Sequence, residues 1–299
     1  MRTLVISLAL VSAIAVPTTL AAQTTEQTLY VSVLDKDNHP VTGLSVADFI
    51  VKEDGVQREV LRAGRTADPI DLAIVVDDSQ AIQPYLNDIR TALTSFVTKM
   101  ADEQSASVAL IAMADRPTGL QDYTSSSVAL RTAVTRIFPQ PAAGTVFQDA
   151  INDTVKRLKA RTNPRKAILV ISTEGTDFSN VPYQRTLDVL TASGAAMHVL
   201  LLTNRDGAVY RDELSRDRAY IVDHGTRATG GRRQDLLSSM GLSGALDQVA
   251  ADLASQYKVV FSRPGSLLPP KAVEISVTRP NVSTRGTLVK PTQAPDATK

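Results

Sequence analysis

The chain has 299 residues, 43% of them hydrophobic, and no cysteine. It is long enough to bury a core without covalent staples. It lacks the thiols that a disulfide framework, a lipid-modified cysteine anchor, a thiolate zinc site or a cysteine nucleophile requires. Its 32 basic residues include Arg2 at the N-terminus, so the rest carries 31 of each sign; that balance leaves no basic surplus to attract nucleic acid or an anionic membrane.

Residues 1–22 read as a secretory leader. Arg2 supplies the positive start, Leu4 to Val16 is apolar apart from Ser7 and Ser12, and Leu20-Ala21-Ala22 precedes a cut ahead of Gln23. The apolar run is shorter than the roughly 20 residues that span a bilayer, and no later segment is longer and as apolar. The expectation is a secreted or periplasmic protein with no membrane span in the mature chain.

Residues 23–66 are expected to form a β-unit. Leu29, Val31 and Val33 alternate, Asp35 to Pro40 is a turn cluster, and short runs follow at Phe49-Ile50-Val51 and Val60-Leu61 around Glu53-Asp54-Gly55. Residues 67–256 show a different rhythm. Leu72 to Val76, Val108 to Met113, Ala167 to Ile171 and Met197 to Leu202 are continuous apolar runs, the pattern of strands buried on both faces of a parallel sheet. Between them, Ile82, Leu86, Ile89, Leu93, Phe96, Val97 and Met100 recur at helical spacing, as do Phe147, Ala150, Ile151, Val155 and Leu158. Val128, Val134 and Ile137 mark a further helix, and Leu187 to Leu190 another. This alternation predicts an α/β fold with a doubly wound, mainly parallel sheet and helices on both faces. One antiparallel edge strand is expected near Gly119 to Tyr123.

Residues 206–233 are polar and are read as a long excursion before a short strand. Within it Arg211, Glu213, Arg216, Asp217 and Arg218 form a mixed charge run, read as a solvated helix or loop with local pairs; a partner-contact insertion is the other reading. Gly225 to Gly231 lacks the lysine and spacing of a phosphate loop, and Thr229-Gly230-Gly231 at its end is read as a turn entering the last sheet strand. Leu242, Leu246, Val249 and Leu253 make a last helix. Residues 257–290 return to β-pattern at Tyr257 to Phe261, Val273 to Val277 and Thr287 to Val289. Neither terminal piece has enough strands to bury two faces alone, so the two are expected to join in one small β-sandwich. Residues 291–299 are expected to be a disordered tail.

Strand ends in a wound sheet converge on a ligand edge, and oxygen-bearing side chains cluster there. Asp77-Asp78-Ser79-Gln80-Ala81 follows the first buried strand, Gly144-Thr145 precedes the Phe147 helix, and Thr173-Glu174-Gly175-Thr176-Asp177 follows the third. A hard divalent cation takes such oxygens in near-octahedral geometry. These motifs resemble von Willebrand factor type A (VWFA) domains over about Asp71 to Gln256. With the Val31 to Phe49 opening, Glu53-Asp54-Gly55-Val56 and Asp252 to Tyr257, the chain is similar to the exported bacterial VWFA-related proteins first noted in acidobacteria.

The resemblance implies a metal-ion-dependent adhesion site for Mg2+ or Mn2+. Ser79 and Thr145 would ligate directly, and Asp77 and Glu174 would act through water or brace the ligands. Asp78, Gln80, Gly144 and Asp177 would face a partner. Two departures stand out: Ala81 replaces the family's second serine, and Glu174 replaces its third-loop aspartate. A reading without metal also accounts for these residues: Asp77 and Ser79 cap the helix that follows them, and Thr145 caps the Phe147 helix, with Asp149 in its first turn.

His39, His198 and His224 have no ligand spacing, and no Gly-x-Ser-x-Gly elbow occurs. The expectation is therefore a non-catalytic, exported adhesion-type protein that engages a protein partner through a degenerate metal site. The alternative is a metal-independent structural or assembly subunit of an envelope complex.

Overall fold

The computed structural model describes residues 24–174, 176–203, 213–265 and 267–290. The leader, the tail after Lys290 and the first part of the polar excursion lie outside the described residues. In chain order the strands and helices are β1 (Thr24–Asp35), β2 (Phe49–Glu53), β3 (Val56–Arg58), β4 (Val60–Arg65), β5 (Ile70–Val76), α1 (Leu86–Gln104), β6 (Ser107–Ala112), β7 (Thr118–Thr124), α2 (Ser127–Val134), α3 (Phe147–Lys159), β8 (Arg165–Thr173), α4 (Tyr183–Thr191), β9 (Ala195–Leu202), α5 (Glu213–Ala228), β10 (Arg233–Leu236), α6 (Leu242–Ala254), β11 (Tyr257–Pro264), β12 (Val273–Val277) and β13 (Val282–Leu288).

The first and last of these strands lie side by side. β1 runs antiparallel to both β11 and β13, with Leu29 opposite Val259 on one side and Leu288 on the other. The sheet order is β13-β1-β11-β4, and a second sheet, β12-β2-β3, covers it. Leu29, Val31 and Val33 alternate inward and meet Phe49, Val51, Tyr257, Val259 and Phe261 in one apolar core. The Tyr257 hydroxyl is not wasted there: it donates to the Val41 carbonyl at 3.0 Å and accepts from the Leu44 N–H at 3.3 Å. The terminal segments therefore form the expected joint sandwich, because each supplies strands that the other lacks.

The middle of the chain is a six-stranded sheet in the order β10-β9-β8-β5-β6-β7. All pairings are parallel except that of β6 with β7, the expected antiparallel edge. β5 is buried along its whole length, as a central strand covered on both faces must be. α1, α2 and α6 pack on one face around Leu93, Phe96 and Leu246. α3, α4 and α5 pack on the other around Phe147, Ile151, Leu190 and Ile221. The strand order reverses between β5 and β8, so the carboxyl ends of these two strands flank the crevice where wound sheets place their ligands.

The polar excursion corrects the solvated reading of the charge run. From Glu213 to Ala228 it is the helix α5, but Arg218 in it is buried, and Ile221 and Val222 are buried in the core. The expected turn at Thr229 to Gly231 follows and leads into β10. Gly231 is needed there because a Cβ would stand 1.8 Å from the Met197 carbonyl oxygen of β9. No helix among the described residues is long and apolar enough to cross a membrane.

Candidate functional site at the carboxyl edge

Asp77 follows β5 directly and is 0% exposed. Its Oδ1 accepts from the Ser79 N–H at 2.9 Å. Its Oδ2 accepts from the end of β8: Ser172 Oγ at 3.0 Å, Thr173 N–H at 3.1 Å and Thr173 Oγ1 at 2.8 Å. A carboxylate removed from water is costly unless donors replace the lost solvent. Here four donors do so, and they tie β5 to β8 at the point where the strand order reverses.

The second loop arrives through its backbone. Thr145 bridges Asp177 in parallel and Ala114 in antiparallel fashion, and its carbonyl accepts from the Phe178 N–H at 2.8 Å. The Thr145 hydroxyl points into the same centre as Asp77, where it meets a side chain that the sequence reading had left in solvent. Arg218 of α5 is 3% exposed. Its guanidinium donates to Thr145 Oγ1 at 3.1 Å, to Ser172 Oγ at 2.6 Å and to the Thr173 carbonyl at 2.6 Å. It also lies 5.4 Å from the centroid of the Phe147 ring. Three loops and one helix thus meet at one polar centre, and Ser172 is the shared element: it donates to Asp77 and accepts from Arg218.

The remaining predicted residues surround this centre in unequal ways. Ser79 is buried and starts a 3-10 helix, Gln80–Tyr85, but its hydroxyl makes no capping bond. Thr145 does not cap α3 either. That task falls to Asp177, which is buried and accepts from the Phe147 N–H at 3.0 Å and the Gln148 N–H at 3.2 Å. A buried cap reached from another loop leaves no carboxylate for a partner to touch. Asp78 also turns inward, accepting from the Ala114 N–H at 2.6 Å. Burial pushes its carboxyl above the usual range, with the Asp77 charge adding to the rise and the Ala114 N–H opposing it. Gln80 is exposed at the rim. Gly144 lies under the Phe178 ring, where a Cβ would come within 2.3 Å of a ring carbon. Glu174 is half-buried and lines a small pocket with Ser215, Arg218 and Arg233.

The divalent ion that the resemblance implies does not fit this arrangement. Thr145 and Ser172 already face a cation, Asp77 is filled by protein donors, Ala81 offers no oxygen and Glu174 lies beside two arginines. Among the described residues no group of three His, Asp or Glu side chains is placed to hold a metal.

The reading from sequence found Asp77, Thr145 and the third loop but missed Ser172, Thr173 and Arg218 as members of the centre. A signal existed for the arginine. Ile221-Val222 three and four residues on, with Gly225 beyond, marks a helix face, and Arg218 lies on that face.

The same edge also exposes large apolar side chains. Phe178 is 60% exposed and Met240 88%, and Phe138 and Leu237 are exposed as well. Phe138, Phe178 and Leu237 lie on loops at this edge, and Met240 in the short 3-10 helix Ser239–Gly241. Phe178 follows Asp177, and Phe138 precedes Gln140, whose N–H bonds the Asp78 carbonyl at 2.8 Å. Leu237 and Met240 follow the carboxyl end of β10, where Ser239 bonds Asp88 in the first turn of α1.

No curated protein matches the chain in sequence. Solved structures match in fold. The vWF domain of the type V pili tip protein Mfa5 from Porphyromonas gingivalis is 12% identical with a TM-score of 0.50, over 63% of this chain and 96% of that one. A von Willebrand factor type A structure from Catenulispora acidiphila is 10% identical with a TM-score of 0.49, over 90% of this chain and 74% of that one. Proximal thread matrix protein 1 from the mussel byssus, with a zinc-occupied MIDAS motif, is 15% identical with a TM-score of 0.49, over 68% of this chain and 49% of that one. Residues 72–176, from within β5 to the loop after β8, match the family model of the von Willebrand factor type A domain, so the sheet that carries the Asp77–Arg218 centre is a type A-like fold.

Proposed function

We propose that this is an exported, non-catalytic binding protein of the VWFA-related kind, and that it engages a protein partner through the carboxyl-edge face of the wound sheet. The observation that carries the reading is the exposure of Phe138, Phe178, Leu237 and Met240 on segments at the carboxyl edge, the edge that holds a polar centre whose hydrogen bonds are directed inward. Large exposed apolar side chains grouped at a ligand edge are the mark of an interaction surface. The rim position of Gln80 and the Gly144 seat beneath Phe178 support the same face. Export rests on the leader pattern of residues 1–22.

Cross-linked capture from the native envelope fraction tests the reading. A Phe178→Ser/Met240→Ser double variant is expected to lose the captured partner. Leu268→Ser, at an exposed apolar residue after β11, is expected to keep it. Equal capture by all three proteins would place the binding face elsewhere. The second reading, a metal-independent structural or assembly subunit, is favoured over a metal-gated adhesin by the buried arginine at the centre. Capture that survives chelation supports it.

A further inference from the structure

We propose that Arg218 is a protein-supplied cation standing in for a divalent metal at the carboxyl edge. It ties the Thr145 loop to the end of β8 without metal, and a metal enters only once the guanidinium is removed.

A metal ion and a guanidinium both seek oxygens, but they hold them differently. Magnesium requires oxygens at about 2.0–2.1 Å in octahedral array. A guanidinium spreads one charge over a plane of five N–H donors and stays charged at any relevant pH. Arg218 uses that plane on oxygens from the Thr145 loop and from the end of β8: Thr145 Oγ1 at 3.1 Å, Ser172 Oγ at 2.6 Å and the Thr173 carbonyl at 2.6 Å. Thr145 Oγ1 is also the hydroxyl that the family resemblance assigns to direct ligation. An ion at bonding distance from it would stand against the guanidinium.

Charge repulsion gives a further reason. Ser172 Oγ donates to the fully buried Asp77 at 3.0 Å while accepting from Arg218, so the carboxylate and the guanidinium stand one hydroxyl apart. A divalent ion added beside Arg218 would set like charges against each other where solvation is poor.

The arginine is also anchored. Ile221 and Val222, three and four residues further along α5, are buried in the core beneath β9 at 0% and 2% exposure. The helix therefore presents the guanidinium from a fixed base. Ala81, where the family has a serine, and Glu174, beside Arg218 and Arg233, fit a centre built around an internal cation.

The test uses the full chain, cleared with chelator, and MnCl2 or MgCl2 alone as probe. The wild-type protein is expected to give no saturable heat, and its melting temperature should agree in chelator and in Mn2+ to within about 1 °C. An Ala81→Ser/Glu174→Asp/Arg218→Ser variant is expected to melt about 10 °C lower in chelator. It should recover at least about half of that loss in Mn2+, and Thr145→Ala should abolish the recovery. Should this variant not fold in chelator, Arg218→Lys keeps the charge and is expected to fold and stay blind to Mn2+. Saturable Mn2+ binding by the wild type, lost in Thr145→Ala, would overturn the proposal, as would an Arg218→Ser protein that melts like the wild type. The readouts involve only metal and protein, so partner binding at the exposed apolar residues can fail without affecting this result, and the reverse.

Discussion

Strand β5 carries a buried aspartate at each end, and the two are treated differently. At the amino end Asp71 is 0% exposed and pairs directly with Arg161, whose Nη2 lies 3.0 Å from its Oδ1. Asn163 donates to the same oxygen at 3.1 Å, and Arg161 also rests 4.7 Å from the Tyr123 ring centroid. The Arg161 side chain remains 35% exposed. At the carboxyl end Asp77 never touches its arginine; hydroxyls and a strand end stand between them. A direct, half-solvated pair is a tether that closes the bottom of a sheet. At the other end an enclosed cation is held by oxygens of the Thr145 loop and the end of β8. The same fold and the same residue types give a half-solvated tether at one edge and an enclosed polar centre at the other, and the connecting chemistry makes the difference.

Replacing Asp77 by alanine sharpens the contrast most. Four donors lose their acceptor and the enclosed Arg218 loses its nearby counter-charge, and chemical denaturation is expected to show a loss of about 3–5 kcal/mol. A loss no greater than that of the amino-end variant described below would break the distinction between the two ends.

Acid sensitivity between neutral pH and about pH 4 is expected from His198 on β9, which is fully buried near Asp252 of α6, Arg285 of β13 and Arg232. Burial, aided by the two arginines and opposed by Asp252, lowers its pKa from 6.5 to about 4. The unfolded chain takes up this proton first as pH falls below 6.5, so the full contribution is present above 6.5 and is lost as pH drops towards about 4. The loss amounts to about 3 kcal/mol at most. His198→Leu should flatten the stability–pH curve in that window, while a curve unchanged by the substitution would assign the slope to other groups.

Arg161→Ala is expected to cost about 1–2 kcal/mol, since Asn163 still donates to Asp71 and solvent already screens the exposed guanidinium. Ser79→Ala is the smallest change. Its hydroxyl caps nothing, so a shift below about 0.5 kcal/mol is expected in the same denaturation assay. A larger loss would give that hydroxyl a structural role at the centre.

Much of this architecture was legible in the residues. Four continuous apolar runs marked the central strands, and the three- and four-residue spacing of Ile89, Leu93, Phe96 and Met100 marked α1, because burial on two faces or one imposes those periods directly. The pairing of the two terminal β-segments followed from a deficit, as each had one face to cover and too few strands to cover it. The Asp77 and Thr145 loops could be placed because strand ends in a wound sheet meet at one edge. What the order of residues left open was which charges would be inside. Arg218 reads as one more member of a polar run, and Asp177 reads as a rim carboxylate. Each is buried only because groups remote in sequence complete it: Thr145, Ser172 and Thr173 for the arginine, and the free N–H groups of α3 for the aspartate. Burial of an apolar side chain is its own reward and leaves a local pattern. Burial of a charge is stable only when distant partners replace water, so the tertiary structure alone decided it.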